Sequence, residues 1–278
     1  MNLLGIFSHL EKTDPEIGQK LDYSRRKMLK TTSVAAAATP LFFAAMVNKA
    51  FAATGGCAGD AIDIVKFALT LEYLERDFYR AAQFKTGLLP PGTRPYVVQI
   101  AKHEAQHVDL LEGVLGLKPN GMQPRYNMAT LAAATADYPT FLTYAQALED
   151  TGVRAYKGQA ACLLEQDTET SRTVLKVALR IHSVEARHAA AVRYMRDLRV
   201  WPSGGQNGME PDPRIYANED VANQDGTHNL VDYFNMPENK MKLYSPDMAI
   251  RSVYESFDEP LTASEVLAIA GPFLAPMM

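Results

Sequence analysis

Four glutamates and two histidines recur along the chain in an ordered pattern. A lone glutamate comes first, a Glu-x-x-His motif follows, and the same order then repeats. Each of these residues lies on a stripe of apolar residues with helical spacing, so we expect all of them to face the interior of a helical bundle. The six residues are Glu72, Glu104, His107, Glu149, Glu185 and His188.

Burial of these groups predicts a metal centre. An unpaired charge in a protein interior costs several kcal/mol, which is comparable with the net stability of a whole domain. Two divalent cations would balance four carboxylates, and each histidine would give one nitrogen to one ion. Carboxylate and imidazole ligands without thiolate suit iron or manganese better than copper or structural zinc. The sequence therefore predicts two Fe or two Mn ions as the cofactor.

Four further residues fall near the predicted centre. His182 lies one turn before Glu185, and it is expected either to hydrogen-bond to a ligand or to be a further ligand or a core-edge imidazole. Tyr79 and Tyr156 lie on the same stripes, either as packing residues or as relays of protons or electrons. His103 is expected to flank the ligands without binding metal.

The segment from His103 to His107 also matches H-E-x-x-H, the helical motif of zinc proteases. In that alternative the two histidines would bind zinc and Glu104 would be the catalytic base. The alternative leaves Glu149 and Glu185 unexplained, and no recognisable third-ligand motif follows downstream. We therefore favour the two-metal centre.

Helical periodicity predicts an all-α chain with four long helices, at residues 60–83, 95–115, 139–163 and 168–198. The connections are short except for residues 117–138, and a four-helix bundle with one long crossover needs that arrangement. Asp167 is expected to cap the fourth helix, and Glu75 is expected at the surface or in an ion pair. From residue 201 onwards Gly, Pro, Asn and Asp predict an irregular extension, which a capping box at residues 262–265 ends in a short helix.

The order of the six residues resembles that of the ferritin-like di-iron and di-manganese carboxylate superfamily, which includes ferritins, rubrerythrins and manganese catalases. More narrowly, residues 71–75 (LEYLE), 148–152 (LEDTG) and 257–262 (FDEPLT) are similar to exported ferritin-like proteins of the desiccation-related and stress-response type. The resemblance covers the chain from about residue 61 to the C-terminus. It implies a ferritin-like four-helix bundle with a two-metal centre, in which Glu104 and Glu185 bridge the ions.

The N-terminus reads as an export signal. Residues 24–30 (SRRKMLK) precede a soft apolar stretch at 31–47 and the tripeptide Ala-Phe-Ala at 50–52. This order resembles the twin-arginine (Tat) signal, with Met28 where that family usually carries Phe. A membrane anchor is the alternative, but the stretch is broken by Pro40 and is shorter than the ~20 strongly apolar residues of a membrane helix. We expect cleavage at the tripeptide, and a periplasmic or secreted protein.

These boundaries predict a Tat-type signal peptide at 1–52, a four-helix bundle at 53–200 and an extension at 201–278 that packs on the bundle.

The net charge is −4, and removing the signal takes away seven basic and four acidic residues, which leaves −7. The acidic mature protein argues against nucleic acid as a partner, and no membrane span is expected after cleavage. Cys162 is expected as a small apolar core residue, and the sequence does not decide whether it pairs with Cys57.

Together these features predict an exported oxidoreductase whose partner is a small oxidant, either peroxide or dioxygen, in oxidative-stress defence. A non-catalytic metal-binding stress-protection protein is the main alternative. Iron storage is disfavoured, because the long extension makes a simple ferritin-type cage awkward. The sequence does not decide between a monomer and a homo-oligomer.

Overall fold

The structure, a computed structural model, describes residues 56–202, 211–217 and 254–275. Within these ranges the chain is helical and contains no strand, which confirms the predicted all-α class. The predicted signal peptide at 1–52 and much of the C-terminal extension lie outside the described residues. Among the helices that are described, none combines the length and the hydropathy needed to cross a membrane.

Four long helices and two short ones are described. The long helices are α1 (Ala61–Phe84), α2 (Arg94–Leu115), α4 (Tyr138–Glu165) and α5 (Glu169–Met195), and the short ones are α3 (Met128–Ala134) and α6 (Ala263–Ala270). The long helices lie where the periodicity predicts them. Helix α3 lies inside the long connection and was not predicted. It is one short helical segment in a stretch otherwise rich in turn residues.

Side chains at the helix ends account for these boundaries. The Asp60 carboxylate accepts hydrogen bonds from two backbone N–H groups in the first turn of α1. Helix α2 ends before Gly116, which has the left-handed φ of 66° that favours glycine. The prediction that Asp167 caps the last long helix is wrong. Asp167 has a φ of 43°, whereas an N-cap residue is extended, and Thr168 instead forms a capping box with Ser171.

The long helices pack as two hairpins. Helix α1 packs chiefly against α2, and α4 packs chiefly against α5, while lesser contacts of α1 with α4 and α5 join the pairs. Short links close each hairpin, whereas residues 116–137 cross from one hairpin to the other. This is the predicted four-helix bundle with one long crossover. Each hairpin therefore supplies half of any site at the centre of the bundle.

The crossover is attached to the first hairpin by buried polar contacts. The Tyr73 hydroxyl donates to Glu112 across a distance of 2.5 Å, and the backbone N–H of Asn120 donates to the same carboxylate at 2.5 Å. The Tyr126 hydroxyl donates to the carbonyl oxygen of Tyr73 at 2.9 Å. Because both partners of Glu112 are donors, this carboxylate is satisfied although it is buried.

The described parts of the extension lie on α4. The buried Arg154 side chain donates to the backbone carbonyl oxygens of Glu259, at 2.5 Å, and Ala217, at 2.7 Å. Close by, the carbonyl oxygen of Leu261 approaches Gly158 so closely that a Cβ atom at this position would collide with it. The short helix α6 begins where the capping box predicts it. Helix α4 thus faces the bundle on one side and the extension on the other.

A disulfide bond joins Cys57 to Cys162, with their Cα atoms 5.8 Å apart. Cys162 was expected as a small apolar core residue. Cys162 is buried, as expected, but its sulfur forms a disulfide bond and does not only pack against apolar neighbours. The bond attaches the segment before α1 to the C-terminal part of α4 and closes a loop of 105 residues. A crosslink across so long a loop removes many conformations from the unfolded chain.

Replacing both cysteines with serine should lower the free energy of unfolding by about 2–4 kcal/mol, because the unfolded chain regains the conformations that the crosslink removes. Chemical denaturation of the two proteins under non-reducing conditions measures the difference. A reductant should shift the wild-type midpoint toward that of the variant and leave the variant unchanged. Equal midpoints without reductant would contradict the prediction.

Candidate metal centre

The six predicted residues come together in the middle of the bundle. Helix α1 provides one glutamate, α2 a Glu-x-x-His pair, α4 one glutamate and α5 the second Glu-x-x-His pair. All six side chains are buried, and the four glutamates have no solvent exposure. The i, i+3 spacing places both members of each pair on one face of a helix. The structure therefore joins Glu72, Glu104, His107, Glu149, Glu185 and His188 in one cluster.

The first half of the cluster surrounds His107. Its Nδ1 atom lies 3.1 Å from Oε2 of Glu72, 3.1 Å from Oε2 of Glu104 and 3.1 Å from Oε1 of Glu185. These four residues offer ligand atoms that lie within 4.8 Å of one another. One imidazole nitrogen and three carboxylates are a ligand set suited to iron or manganese.

The second half surrounds His188. Its Nδ1 atom lies 2.7 Å from Oε1 of Glu104 and 3.3 Å from Oε2 of Glu149. Together with Glu185, these residues form a second group whose ligand atoms lie within 4.8 Å of one another. Glu104 and Glu185 belong to both groups. They therefore occupy the positions that carboxylates bridging two metal ions would need.

Several buried atoms of the cluster lack the hydrogen bonds that burial demands. Oε1 of Glu104, Oε2 of Glu149, both carboxylate oxygens of Glu185 and Nδ1 of His188 have no hydrogen-bond partner among the described residues. The Nδ1 atom of His188 lies 2.7 Å from Oε1 of Glu104, yet both atoms are without a hydrogen-bond partner among the described residues. Each such atom costs about 1–3 kcal/mol. These atoms converge on one another, and the donor set fits metal ions.

Two tyrosines hold the lone glutamates, one from each hairpin. The Tyr156 hydroxyl on α4 donates to Oε1 of Glu72 on α1 at 2.5 Å. In return, the Tyr79 hydroxyl on α1 donates to Oε1 of Glu149 on α4. Burial raises the pKa of both hydroxyls well above the ordinary value, so both remain donors. Each lone glutamate is thus oriented through one oxygen, and its other oxygen faces the cluster.

His103 lies behind His188 and belongs to neither ligand group. Its Nδ1 atom is 2.8 Å from Nε2 of His188, and the two ring planes are within 11° of parallel. On its other side, His103 contacts Gln99 at 2.8 Å, toward the surface. His103 thus orients His188 through the nitrogen that does not face the cluster. A zinc protease would require both histidines of H-E-x-x-H to bind one ion. In the described part of the chain, His107 belongs to a ligand group and His103 does not.

His182 does not reach the cluster. The largest charges acting on it are those of Asp258 and Lys157, and burial lowers its pKa. Its Nε2 atom is buried without a hydrogen-bond partner among the described residues. His182 belongs to neither ligand group, and the charge of Asp258 on it places it near the extension. The structure therefore does not support a role for His182 as a ligand or as a partner of one.

Glu75 is the member of the cluster that the sequence analysis missed. It was expected at the surface or in an ion pair, but its side chain is only 4% exposed. Burial raises the pKa of Glu75 well above its ordinary value, and the negative charges of Glu185, Glu104 and Glu149 raise it further. The signal was present, because Glu72 and Glu75 have the same i, i+3 spacing as the Glu-x-x-His pairs.

Without metal, protons balance part of the negative charge. Burial alone would lower the pKa of His188, but the neighbouring Glu149 and Glu104 raise it to about 11. The pKa of His107 is raised by Glu72, Glu104 and Glu185 in the same way. Burial also raises the pKa of Glu104 and, more strongly, that of Glu185. Protonated imidazoles thus occupy the place of cations in the metal-free cluster.

The family model described as "Ferritin-like domain" matches residues 60–197. These residues contain all four long helices and all six predicted ligands. Residues 60–197 form a ferritin-like domain. The resemblance inferred from the order of the glutamates and histidines is thereby confirmed at the level of the superfamily. No curated protein and no solved structure matches the chain.

Metal binding to the ferritin-like domain should release protons, because an ion must displace them from His107 and His188. The raised pKa values keep both imidazoles protonated near neutral pH, so the affinity should rise with pH. Each released proton contributes about a tenfold increase in affinity per pH unit. Isothermal titration with Mn²⁺ between about pH 6 and about pH 8 measures the affinity at each pH. Buffers of different ionisation enthalpy give the number of protons released.

The variant His188→Gln should have a smaller pH dependence, because one of the displaced protons is gone. His182→Gln is the matched control, since His182 lies outside the cluster, and it should keep the wild-type slope. An affinity that does not change with pH would contradict the prediction that the ions displace protons from the two imidazoles.

Proposed function

We propose that the protein is an exported oxidoreductase that holds two iron or manganese ions in its ferritin-like domain and acts on hydrogen peroxide or dioxygen in oxidative-stress defence. The observation that carries this proposal is the pair of ligand groups that share Glu104 and Glu185. Two ions held by common carboxylates would act together on one substrate. The bound metals would supply the electrons that reduce the oxygen–oxygen bond.

The protein's own residues would hold and shield the centre. The four glutamates balance two divalent ions, and the apolar stripes around them keep bulk water away. Tyr79 and Tyr156 keep Glu149 and Glu72 oriented while their hydroxyls stay protonated. His103 fixes the ring of His188 from outside. Both lone glutamates keep one oxygen directed toward the cluster, which preorganises the ligands before metal binds.

An apolar cavity beside the cluster supports dioxygen as a substrate. Residues of all four long helices line it, and its volume is about 20 Å³. Its two polar lining residues are engaged elsewhere, because Tyr156 donates to Glu72 and Gln159 bonds the backbone of Gly56 and Ala58. Dioxygen is apolar, whereas hydrogen peroxide would lose hydrogen bonds in such a space. Tyr156 lines the cavity and also contacts Glu72, so the cavity adjoins the proposed metal centre at this residue.

The disulfide bond supports export. Disulfides form and persist in the periplasm and outside the cell, whereas they are rare in the reducing cytosol. Cys57 follows closely after the predicted cleavage site at residues 50–52. Export by the Tat route would carry the protein across the membrane already folded, so that iron or manganese can be loaded first. We therefore propose a periplasmic or secreted location for the mature protein.

Protein loaded with iron or manganese should consume hydrogen peroxide, or take up dioxygen when ferrous iron is the reductant. Glu104→Ala should lose both the metal and the activity, because Glu104 belongs to both ligand groups. Metal analysis measures the bound metal, and peroxide loss and oxygen uptake measure the activity. Circular dichroism verifies the fold of the variant.

Glu112→Gln is the matched control for this experiment. It removes another buried carboxylate from α2, but Glu112 contacts Tyr73 and the crossover and not the cluster. This variant should keep the metal and the activity. If metal-loaded wild-type protein turned over neither peroxide nor dioxygen nor ferrous iron, the enzyme hypothesis would fall and a non-catalytic metal-binding protein would replace it.

A further inference from the structure

The two hairpins share one pattern of cluster residues, but they differ beside the lone glutamate. Each has a lone glutamate, a tyrosine seven residues later and a Glu-x-x-His pair on the next helix of the bundle. Three residues after the lone glutamate, the first hairpin has Glu75 and the second has Gly152. A symmetric pair of hairpins would hold two ions alike. The difference between Glu75 and Gly152 breaks that symmetry inside the cluster.

Glu75 and Gly152 are neighbours in space. A Cβ atom placed on Gly152 would lie 3.4 Å from Oε1 of Glu75 and 3.3 Å from Oε2 of Glu185. The distance to Glu185 is tighter than ordinary van der Waals contact and the distance to Glu75 is at its lower limit, so a side chain here would crowd the two carboxylates. The absence of a side chain on α4 therefore leaves the space that the Glu75 carboxylate needs next to Glu185.

The surroundings of Glu75 disfavour a charged carboxylate unless a cation is present. The side chain is 4% exposed, and the four largest charge effects on it come from Glu185, Glu104, Glu149 and Glu72. A fifth carboxylate among four others increases the cost of the metal-free fold. Glutamine would fill the same space without that cost. Packing alone therefore does not explain why residue 75 is a glutamate.

We infer that Glu75 is a seventh ligand of the two-metal centre, bound to the ion nearer to it, and that it makes the two metal positions inequivalent. The inference rests on the proposed metal centre. Two divalent ions balance the four symmetric glutamates, and the carboxylate of Glu75 adds one further negative charge. That charge is balanced when one of the two ions is trivalent. Glu75 therefore favours the oxidised state of one ion, which suits a centre that gives electrons to its substrate.

Titration of the metal-free protein with Co²⁺ tests the inference by heat and by visible absorption, without any assay of activity. Glu75→Gln removes the ligand and its charge, and Glu75→Asp keeps the charge but withdraws the oxygens by one methylene group. We expect both variants to bind one of two Co²⁺ ions at least about tenfold more weakly and to change its absorption spectrum. Glu112→Gln, the matched buried carboxylate on α2, should behave like the wild type.

The variants Glu75→Gln and Glu75→Asp distinguish metal coordination by Glu75 from an effect of its charge alone. If Glu75→Gln weakened both ions while Glu75→Asp matched the wild type in affinity and spectrum, Glu75 would act only by its charge and the inference would be overturned. Wild-type behaviour of both variants would overturn it as well. Wild-type protein that takes up no Co²⁺ would instead overturn the proposed function, and the inference with it.

Discussion

The cost of burying negative charge is the constraint on which the rest of this structure depends. Five carboxylates lie in the centre of the bundle, and the accessible counter-charges in the metal-free protein are the protonated imidazoles of His107 and His188. Without stronger compensation, such a cluster would take up much of the 5–15 kcal/mol or so of net stability of a typical domain. Metal ions would supply that compensation, and the bundle, the crossover and the disulfide hold the helices that carry the proposed ligands.

The internal repeat explains how one chain builds a paired centre. Each hairpin contributes one lone glutamate and one Glu-x-x-His pair, and each also provides the tyrosine that orients the other hairpin's glutamate. The two halves are therefore interlocked through Tyr79 and Tyr156, and neither could form the site alone. The long crossover and the extension lie outside this repeat. Their buried contacts at Glu112 and Arg154 serve to hold the bundle. Inside the cluster, Glu75 departs from the repeat, since Gly152 stands at the corresponding position.

The sequence predicted the bundle and the meeting of six polar residues because both depend on local spacing. Apolar stripes with helical period define the helices, and a polar residue on such a stripe must enter the core. What it could not predict depends on contacts between distant segments. The partner of Cys57, the position of His182 near the extension and the space that Gly152 leaves for Glu75 all require the packed fold. Helix α3 was missed because a short helix carries too little periodicity to be recognised.

The most direct test of the account is anomalous X-ray scattering from crystals of the natively loaded protein, recorded at the iron and manganese absorption edges. The account predicts two peaks between α1, α2, α4 and α5, one beside His107 and one beside His188, with Glu104 and Glu185 contacting both. A cluster without metal peaks, its glutamates instead satisfied by water or by one another, would contradict the central claim.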